Sequence, residues 1–246
     1  MQLSKSEIKI IQSLKTAHGR KKHEAFLVEG PKLVEELITT SLEIKYLLAT
    51  QDWSDSHTGF FSKTNTIKQS ELDRFSLFSN ANQVIAVVGY PNEKDFKLDT
   101  DKYILVLDTI QDPGNLGTMI RTADWFGIHQ LICSKETADL FNPKVVQSSM
   151  GSVFRVNVQY KDLLDLIKQY PKTPVYGTLL EGTEIHKLKF SGKGFIIIGN
   201  ESKGMSENLK KLINQAVYIP RASNSMTESL NAAVACGILL SHLKNS

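Results

Sequence analysis

The sequence offers few of the patterns from which function is most often read. Its two cysteines, Cys133 and Cys236, lie in separate apolar segments, which excludes a disulfide framework and a cysteine-built zinc site. The six histidines, at positions 18, 23, 57, 129, 186 and 242, are scattered. None stands at metal-ligand spacing from acids or cysteines, so no metal is expected. No apolar run approaches the roughly 18 residues of a membrane span. The opening MQLSKSEIKI has no apolar signal core, and a cytoplasmic protein with no membrane partner is expected. No G-x-G-x-x-G follows a strand and no G-x-x-x-x-G-K-[ST] occurs, which argues against dinucleotide and nucleoside-triphosphate sites. No Ser/His/Asp arrangement suggests itself.

What is present is an ordinary globular balance, 41% hydrophobic and 22% charged, in a chain of 246 residues. That length suits one large domain or two small ones and can bury a core without staples. The net charge of +3 permits an anionic partner without demanding one. The basic residues cluster at the start, where Lys5, Lys9, Lys15, Arg20, Lys21 and Lys22 face only Glu7 and Glu24. Such a cluster reads either as a phosphate-binding patch or as a solvated surface.

A polar stretch, YPNEKDFKLDTDK (90–102), reads as a linker between two parts, 1–95 and 102–246. In the first part SEIKIIQSLKTA, PKLVEELITT and SELDRFSLF read as helices, and AFLVEG, IKYLLAT and QVIAVVGY as strands. The second part alternates YILVLD, QLICS, VFRVNV, PVYGTLL, GFIIIGN and QAVYIP as strands. Between them LGTMIRTADWF, NPKVVQSSMG, DLLDLIKQY, SENLKKLIN and SLNAAVACGILLSHL read as helices. Near-continuous apolar strands separated by helices predict a parallel sheet covered on both faces. Ligands bind such sheets at the carboxyl ends of the strands, so the loops after Asp108, Leu180, Gly199 and Pro220 are the ones to inspect.

Three of those loops carry polar residues in apolar surroundings. In QDPGNLGTMIRTADWFG (111–127), Arg121 stands just off the apolar stripe of a helix, and Asn115 reads either as a cap or as a site residue. In IIIGNESKGMSENL (196–209), Gly199 and Gly204 flank Glu201, where a carboxylate at a strand end could hold a cation. In YIPRASNSMTESLNAAVACG (218–237) a polar loop leads into a helix opened by Ser229 and Asn231.

Together NLGTMIRTADWFG, IIIGNESKGMS and IPRASNSMTESLNAAVACGILL resemble, in order and spacing, the three motifs of the SpoU/TrmH family of S-adenosylmethionine-dependent RNA 2′-O-ribose methyltransferases. The match spans about Tyr103 to Leu243. SLKTAHGRKKHEAFLVEGPKLVEE and ANQVIAVV resemble the substrate-binding domain often fused to these enzymes. The resemblance implies a small L30e-like α/β domain (1–95) that binds RNA through Lys15, Arg20, Lys21 and Lys22. It implies a methyltransferase domain (102–246) of parallel α/β-knot fold with a deep trefoil knot, working as a homodimer. Thr178, Leu179, Gly199, Ile219 and Leu230 match the positions that hold S-adenosylmethionine. Asn115, Arg121, Glu201, Ser229 and Asn231 match those tied to catalysis and substrate placement. The family's motif arginine is usually taken as the base. A free arginine has a pKa above about 12, so Arg121 serves equally well as a phosphate clamp. After IP the family commonly shows Met and a glycine-containing loop, whereas this chain has RASNSMTE with Arg221. Ribosomal RNA is expected ahead of transfer RNA as substrate. The alternatives are a transfer-RNA enzyme, a catalytically weak RNA-binding or ribosome-assembly protein, and a methyltransferase acting on a small molecule or protein.

Overall fold

The computed structural model of the chain describes residues 3–57, 64–78, 82–91, 97–200 and 203–244. The chain forms two compact units, Met1–Asp95 with Phe141–Phe154, and Phe96–Leu140 with Arg155–Ser246.

In the first unit, helix α1 (Lys5–Ser13) is opened by a Ser4/Glu7 capping box. It stops at Leu14 instead of running to Ala17 as the periodicity predicts. Thr16 starts a new helix, α2 (Ala17–His23), by accepting from the Gly19 amide. The corner is tight: a Cβ on Gly19 would lie 2.0 Å from the Ser13 carbonyl oxygen. Strand β1 (Ala25–Glu29) and helix α3 (Pro31–Ile38), with Pro31 in its first turn, form as expected. Strand β2 (Ile44–Ala49) is followed by helix α4 (Gln51–Ser56) and strand β3 (Thr64–Thr66), both too short and polar to be legible from pattern. Helix α5 is a single turn, Gln69–Leu72, and strand β4 (Val84–Gly89) closes the sheet. The order is β1-β4-β2-β3, with β4 antiparallel to both neighbours and β3 parallel to β2. Ile11, Leu14, Leu27, Leu48, Leu72, Phe75 and Ile85 form its core.

The second unit follows the predicted alternation. Strands β5 (Tyr103–Leu107) and β6 (Gln130–Cys133) flank helix α6 (Pro113–Trp125). Helix α7 (Pro143–Ser149) belongs to the first unit, where it packs on β1. The VFRVNV strand is displaced, because Met150 and Gly151 turn the chain at positive φ and a short 3-10 turn takes Ser152–Phe154. Strand β7 then occupies Asn157–Tyr160. Helix α8 (Leu163–Lys168), strand β8 (Val175–Glu184), strand β9 (Gly194–Ile198), helix α9 (Glu207–Lys210), strand β10 (Gln215–Tyr218) and helix α10 (Ala232–Lys244) complete it. The six strands are all parallel in the order β10-β8-β9-β5-β6-β7. The apolar runs of β5 and β9 are buried on both faces, and Ile104, Val106, Ile132, Phe195, Ile197 and Met205 anchor the core. Both cysteines are buried and free. Burial pushes the Cys236 thiol up to about 12 and that of Cys133 higher still. Among the described residues no helix is long and apolar enough to cross a membrane.

The first unit owes one loop to a buried acid. Glu29, 3% exposed at the end of β1, accepts from Ser76 Oγ at 2.7 Å, the Leu77 amide at 2.9 Å and the Asn82 amide at 3.1 Å. A buried carboxylate that gathers several donors cannot be replaced by a group offering fewer acceptor positions. Glu29→Gln is expected to destabilise the protein by about 2 kcal/mol, read as a lowered urea midpoint at unchanged slope.

Candidate active site

The site starts where β5 ends. Asp108, 5% exposed, continues the ladder by donating its amide to the Ile198 carbonyl at 2.9 Å. Its carboxylate accepts from Thr109 Oγ1 and from the Ser206 amide, both at 3.0 Å. Thr109 follows with φ at +58°, a conformation uncommon for a residue with a Cβ. It is held on both sides: its amide donates to Ser134 Oγ at 3.0 Å, and its carbonyl accepts from Asn200 Nδ2 at 2.7 Å. Asn200 in turn receives the Lys203 amide on its side-chain oxygen at 2.9 Å and exchanges backbone hydrogen bonds with Gly204. The loop after β9 is thereby stitched to the end of β5. Thr109 and Ser134 are not singled out by the sequence, which marks Asp108 and Asn200 only as the places where strands give way to loops. The one available signal was an acid closing the buried run YILVLD.

Gly199 is required at its place in that loop. A Cβ there would lie 2.6 Å from the Met205 amide nitrogen and 2.7 Å from the Gly204 carbonyl carbon. Glu201 lies outside the described residues.

Helix α6 begins three residues earlier than the apolar pattern predicts. Asp112 is its N-cap and accepts the Asn115 amide at 2.9 Å, with Pro113 in the first turn. Asn115 is therefore not the cap, and its side chain is available elsewhere. Its Oδ1 accepts from Asn231 Nδ2 at 3.0 Å. Asn231 is the residue that caps α10, where its Oδ1 accepts the amides of Ala233 and Val234 at 2.9 and 3.2 Å. One side chain thus starts one helix and reaches the first turn of another. The helices lie side by side, with Gly237 of α10 opposite the Thr122 methyl. Asn115 and Thr122, seven residues apart, share the face toward α10. Arg121 falls on a different stripe, with Thr118 and Trp125. Its side chain is exposed and makes no hydrogen bond or ion pair with a described residue. Ser229 lies before α10 in an exposed loop and makes no hydrogen bond with a described residue either. In that loop Arg221 Nη1 donates to the Thr227 carbonyl at 3.3 Å, so the arginine braces the segment that departs from the family pattern.

The remaining positions stand beside the central strands. Strand β8 runs four residues beyond its expected end, across an interruption. Ala216 pairs with Gly177 but Val217 pairs with Thr183, leaving residues 178–182 outside the ladder with β10. Thr178 Oγ1 compensates by donating to the Ile197 carbonyl at 3.1 Å. Beyond the bulge, Glu184 accepts from Lys187 at 2.8 Å and from the Tyr218 hydroxyl at 3.0 Å. Those contacts, Lys187 first, hold its carboxyl below the usual range. Thr178, Leu179, Gly199 and Ile219 are half-buried, and Leu230 is more open. This edge offers backbone left outside the β8–β10 ladder together with half-buried apolar side chains. That surface fits a flat heterocycle and an aliphatic sulfonium chain, as S-adenosylmethionine presents, better than a phosphate. Among the described residues no group of three His, Cys, Asp or Glu side chains is placed to hold a metal.

The basic residues of the first unit divide. Arg20 is 2% exposed and spends Nη1 on the carbonyls of Leu14 and Lys15. It braces the α1–α2 corner and leaves no guanidinium face for a phosphate, which removes it from the RNA-contact set. Lys15 donates to the carbonyls of Arg74 and Ser76 at 3.1 and 2.7 Å. Lys21 and Lys22 are exposed.

Gly199→Ala tests whether the β9 loop shapes the cofactor site. Its backbone cannot take a Cβ without shifting, so S-adenosylmethionine affinity is expected to fall at least about tenfold in calorimetric titration while the far-ultraviolet dichroism stays unchanged.

Residues 102–241 match the SpoU rRNA Methylase family and residues 5–86 the MRM3-like substrate binding domain. A 23S rRNA (guanosine(2553)-2′-O)-methyltransferase of Bacillus subtilis is 34% identical over 244 residues, covering 97% of this chain and 96% of that protein. A putative RNA methyltransferase of the TrmH family from Porphyromonas gingivalis superposes with a TM-score of 0.89 at 32% identity, over 100% of this chain and 99% of that one. The SpoU methyltransferase AviRb from Streptomyces viridochromogenes, in complex with AdoMet, superposes with a TM-score of 0.85 at 25% identity, over 98% of both chains. With its motif loops gathered on one edge of a parallel sheet and matches across nearly its full length, the chain belongs to the SpoU rRNA methylase family.

Proposed function

We propose that this chain transfers a methyl group from S-adenosylmethionine to a ribose 2′-hydroxyl of ribosomal RNA in the cytoplasm. The observation that carries the proposal is the joining of two motif loops by the Asn115–Asn231 hydrogen bond, in a chain that aligns end to end with a 23S rRNA 2′-O-methyltransferase. We assign 1–95 to RNA binding and 102–246 to methyl transfer, a division supported by the family matches over 5–86 and 102–241.

Thr178, Leu179, Gly199, Ile219 and Leu230 are assigned to the cofactor, which they would hold by backbone groups and apolar contact. Bound there, it supplies a methyl group made electrophilic by its sulfonium. The chain's task is then alignment of the hydroxyl oxygen with that methyl and removal of the hydroxyl proton. Arg121 is assigned to the phosphate next to the target ribose, gripped by its two-pronged guanidinium. An arginine keeps its proton at neutral pH, so its charge steadies the developing alkoxide while the proton departs to solvent. Asn115 and Asn231, locked to each other, present a fixed polar edge to the ribose. Glu201 and Ser229 are assigned to placing Arg121 and the substrate.

Arg121 lies on a different stripe of α6 from Asn115, on a face that also bears Trp125, 84% exposed. Val234 and Ile238 of the neighbouring α10 are 52% and 38% exposed. Apolar side chains grouped on paired helices are a contact surface in waiting. We assign this face to a homodimer that brings Arg121 of one copy to the site of the other. The family's trefoil knot is assigned to the segment from β8 to α10. Its support is the sheet order, in which β10 lies outside β8 while α10 returns to pack on α6.

Incubation with methyl-tritiated S-adenosylmethionine and separated ribosomal and transfer RNA tests the reaction. Label is expected in ribosomal RNA, stable to alkali. Arg121→Ala should lower turnover at least about a hundredfold, the scale of a lost transition-state contact, and leave cofactor affinity unchanged. Label confined to transfer RNA, or a variant that keeps most of its turnover, contradicts the assignment. Trp125→Glu is expected to sediment as a monomer and to lose activity with the dimer.

A further inference from the structure

Outside the methyl-transfer site the first unit holds a cleft of about 540 Å³ that no assigned role uses. Its walls are Lys15, Leu77 and Phe78 on one side and the start of α7, from Asn142 to Ser148, on the other. Among the described residues no acidic one lines it. Phe78 is 40% exposed, although a phenyl ring gains most from being buried. The loop that carries it is not free to collapse onto the ring. Glu29 holds Ser76, Leu77 and Asn82 from beneath, and Lys15 ties the carbonyls of Arg74 and Ser76 from the side. The ring is therefore presented on a fixed support. Across the cleft, the Gln147 side chain makes no hydrogen bond with a described residue. Asn142 uses its Oδ1 on the Lys144 amide and keeps its Nδ2 free among the described residues. The lining thus combines a π-face, amides that can pair with a base edge, and two lysines.

We infer that this cleft binds one unstacked nucleotide of a single-stranded RNA segment, with its base on Phe78, its edge at Asn142 and Gln147, and its phosphate near Lys144. Aromatic platforms in a positively charged groove are how single strands are held, and bases splayed from loops are what proteins read in RNA. Two lysines and no acid in the described lining match a phosphodiester chain and disfavour a basic peptide. The inference rests on the reading of the chain as an RNA-directed enzyme. It supplies a second grip on the substrate, in place of Arg20, which is buried.

Fluorescence anisotropy with a fluorescein-labelled ten-nucleotide oligouridylate, an unstructured single strand, tests it on the full chain. Phe78→Ala is expected to weaken binding about tenfold, since one base–aromatic stack is worth about 1–3 kcal/mol. Phe78→Trp should restore it. Lys144→Gln should reduce the slope of log affinity against log salt by about 0.7. For methyl transfer, Phe78→Ala should raise the KM for ribosomal RNA and leave S-adenosylmethionine affinity and kcat unchanged. Unchanged oligouridylate affinity in Phe78→Ala overturns the inference, as does equal loss in the Ala and Trp variants with unchanged melting. Phe78-dependent RNA binding without methyl transfer by the wild type would instead sink the proposed reaction and leave the cleft standing.

Discussion

The buried carboxylate of Asp108 is the contact on which the site depends. It stands where the central strand β5 gives out, in a parallel sheet whose strands all end toward the same edge. A carboxylate out of water is tolerated only when its oxygens are met by donors. Here they are met by the Thr109 hydroxyl and the Ser206 amide, and the latter belongs to the far end of the β9 loop. The acid therefore fixes where that loop finishes, while Asn200 fixes where it starts by bonding the Thr109 carbonyl. Between these two pins lies the segment that includes Glu201. The unusual backbone of Thr109 is a consequence of the same stitching, since both of its peptide groups are held by side chains from other loops.

The second constraint is the double use of Asn231. A capping side chain normally satisfies its own helix and nothing more. Here the carbonyl oxygen takes two amides of α10 while the amide nitrogen reaches Asn115 in the first turn of α6. This is possible because Asp112 has already capped α6 and freed Asn115. Gly237 meets the Thr122 methyl where the two helices run alongside each other, and Trp125 of α6 and Val234 and Ile238 of α10 are left exposed. The polar contact and these exposed apolar side chains lie on the same helix pair, so proposed pairing of two copies and proposed ribose placement are one arrangement.

Much of this was legible in the residues. Buried strands such as GFIIIGN announce themselves by unbroken apolar character, and the parallel sheet follows from their alternation with helices. The three site loops were legible because polar residues follow those strands at once. Other features were invisible for identifiable reasons. The α6 start was misplaced because Asp112-Pro113 is a capping signal, whereas the apolar pattern starts only at Leu116. Arg20 looked like a surface cation, and only the Leu14 and Lys15 carbonyls around it show why it is buried. The interruption in β8 depends on β10, a partner distant in sequence. Helix α7 reads as part of the second half, yet it packs on β1 of the first unit. Tertiary contacts of this kind leave no periodicity to read.

The central claim is that these loops methylate a ribose of ribosomal RNA. The most direct measurement is nucleoside mapping of ribosomal RNA from cells lacking the gene, complemented with the wild type or with Arg121→Ala. The account predicts that a 2′-O-methyl linkage, resistant to alkali, disappears from the ribosomal RNA, returns with the wild type and does not return with the variant. An unchanged set of 2′-O-methyl linkages in the deletion strain would contradict it.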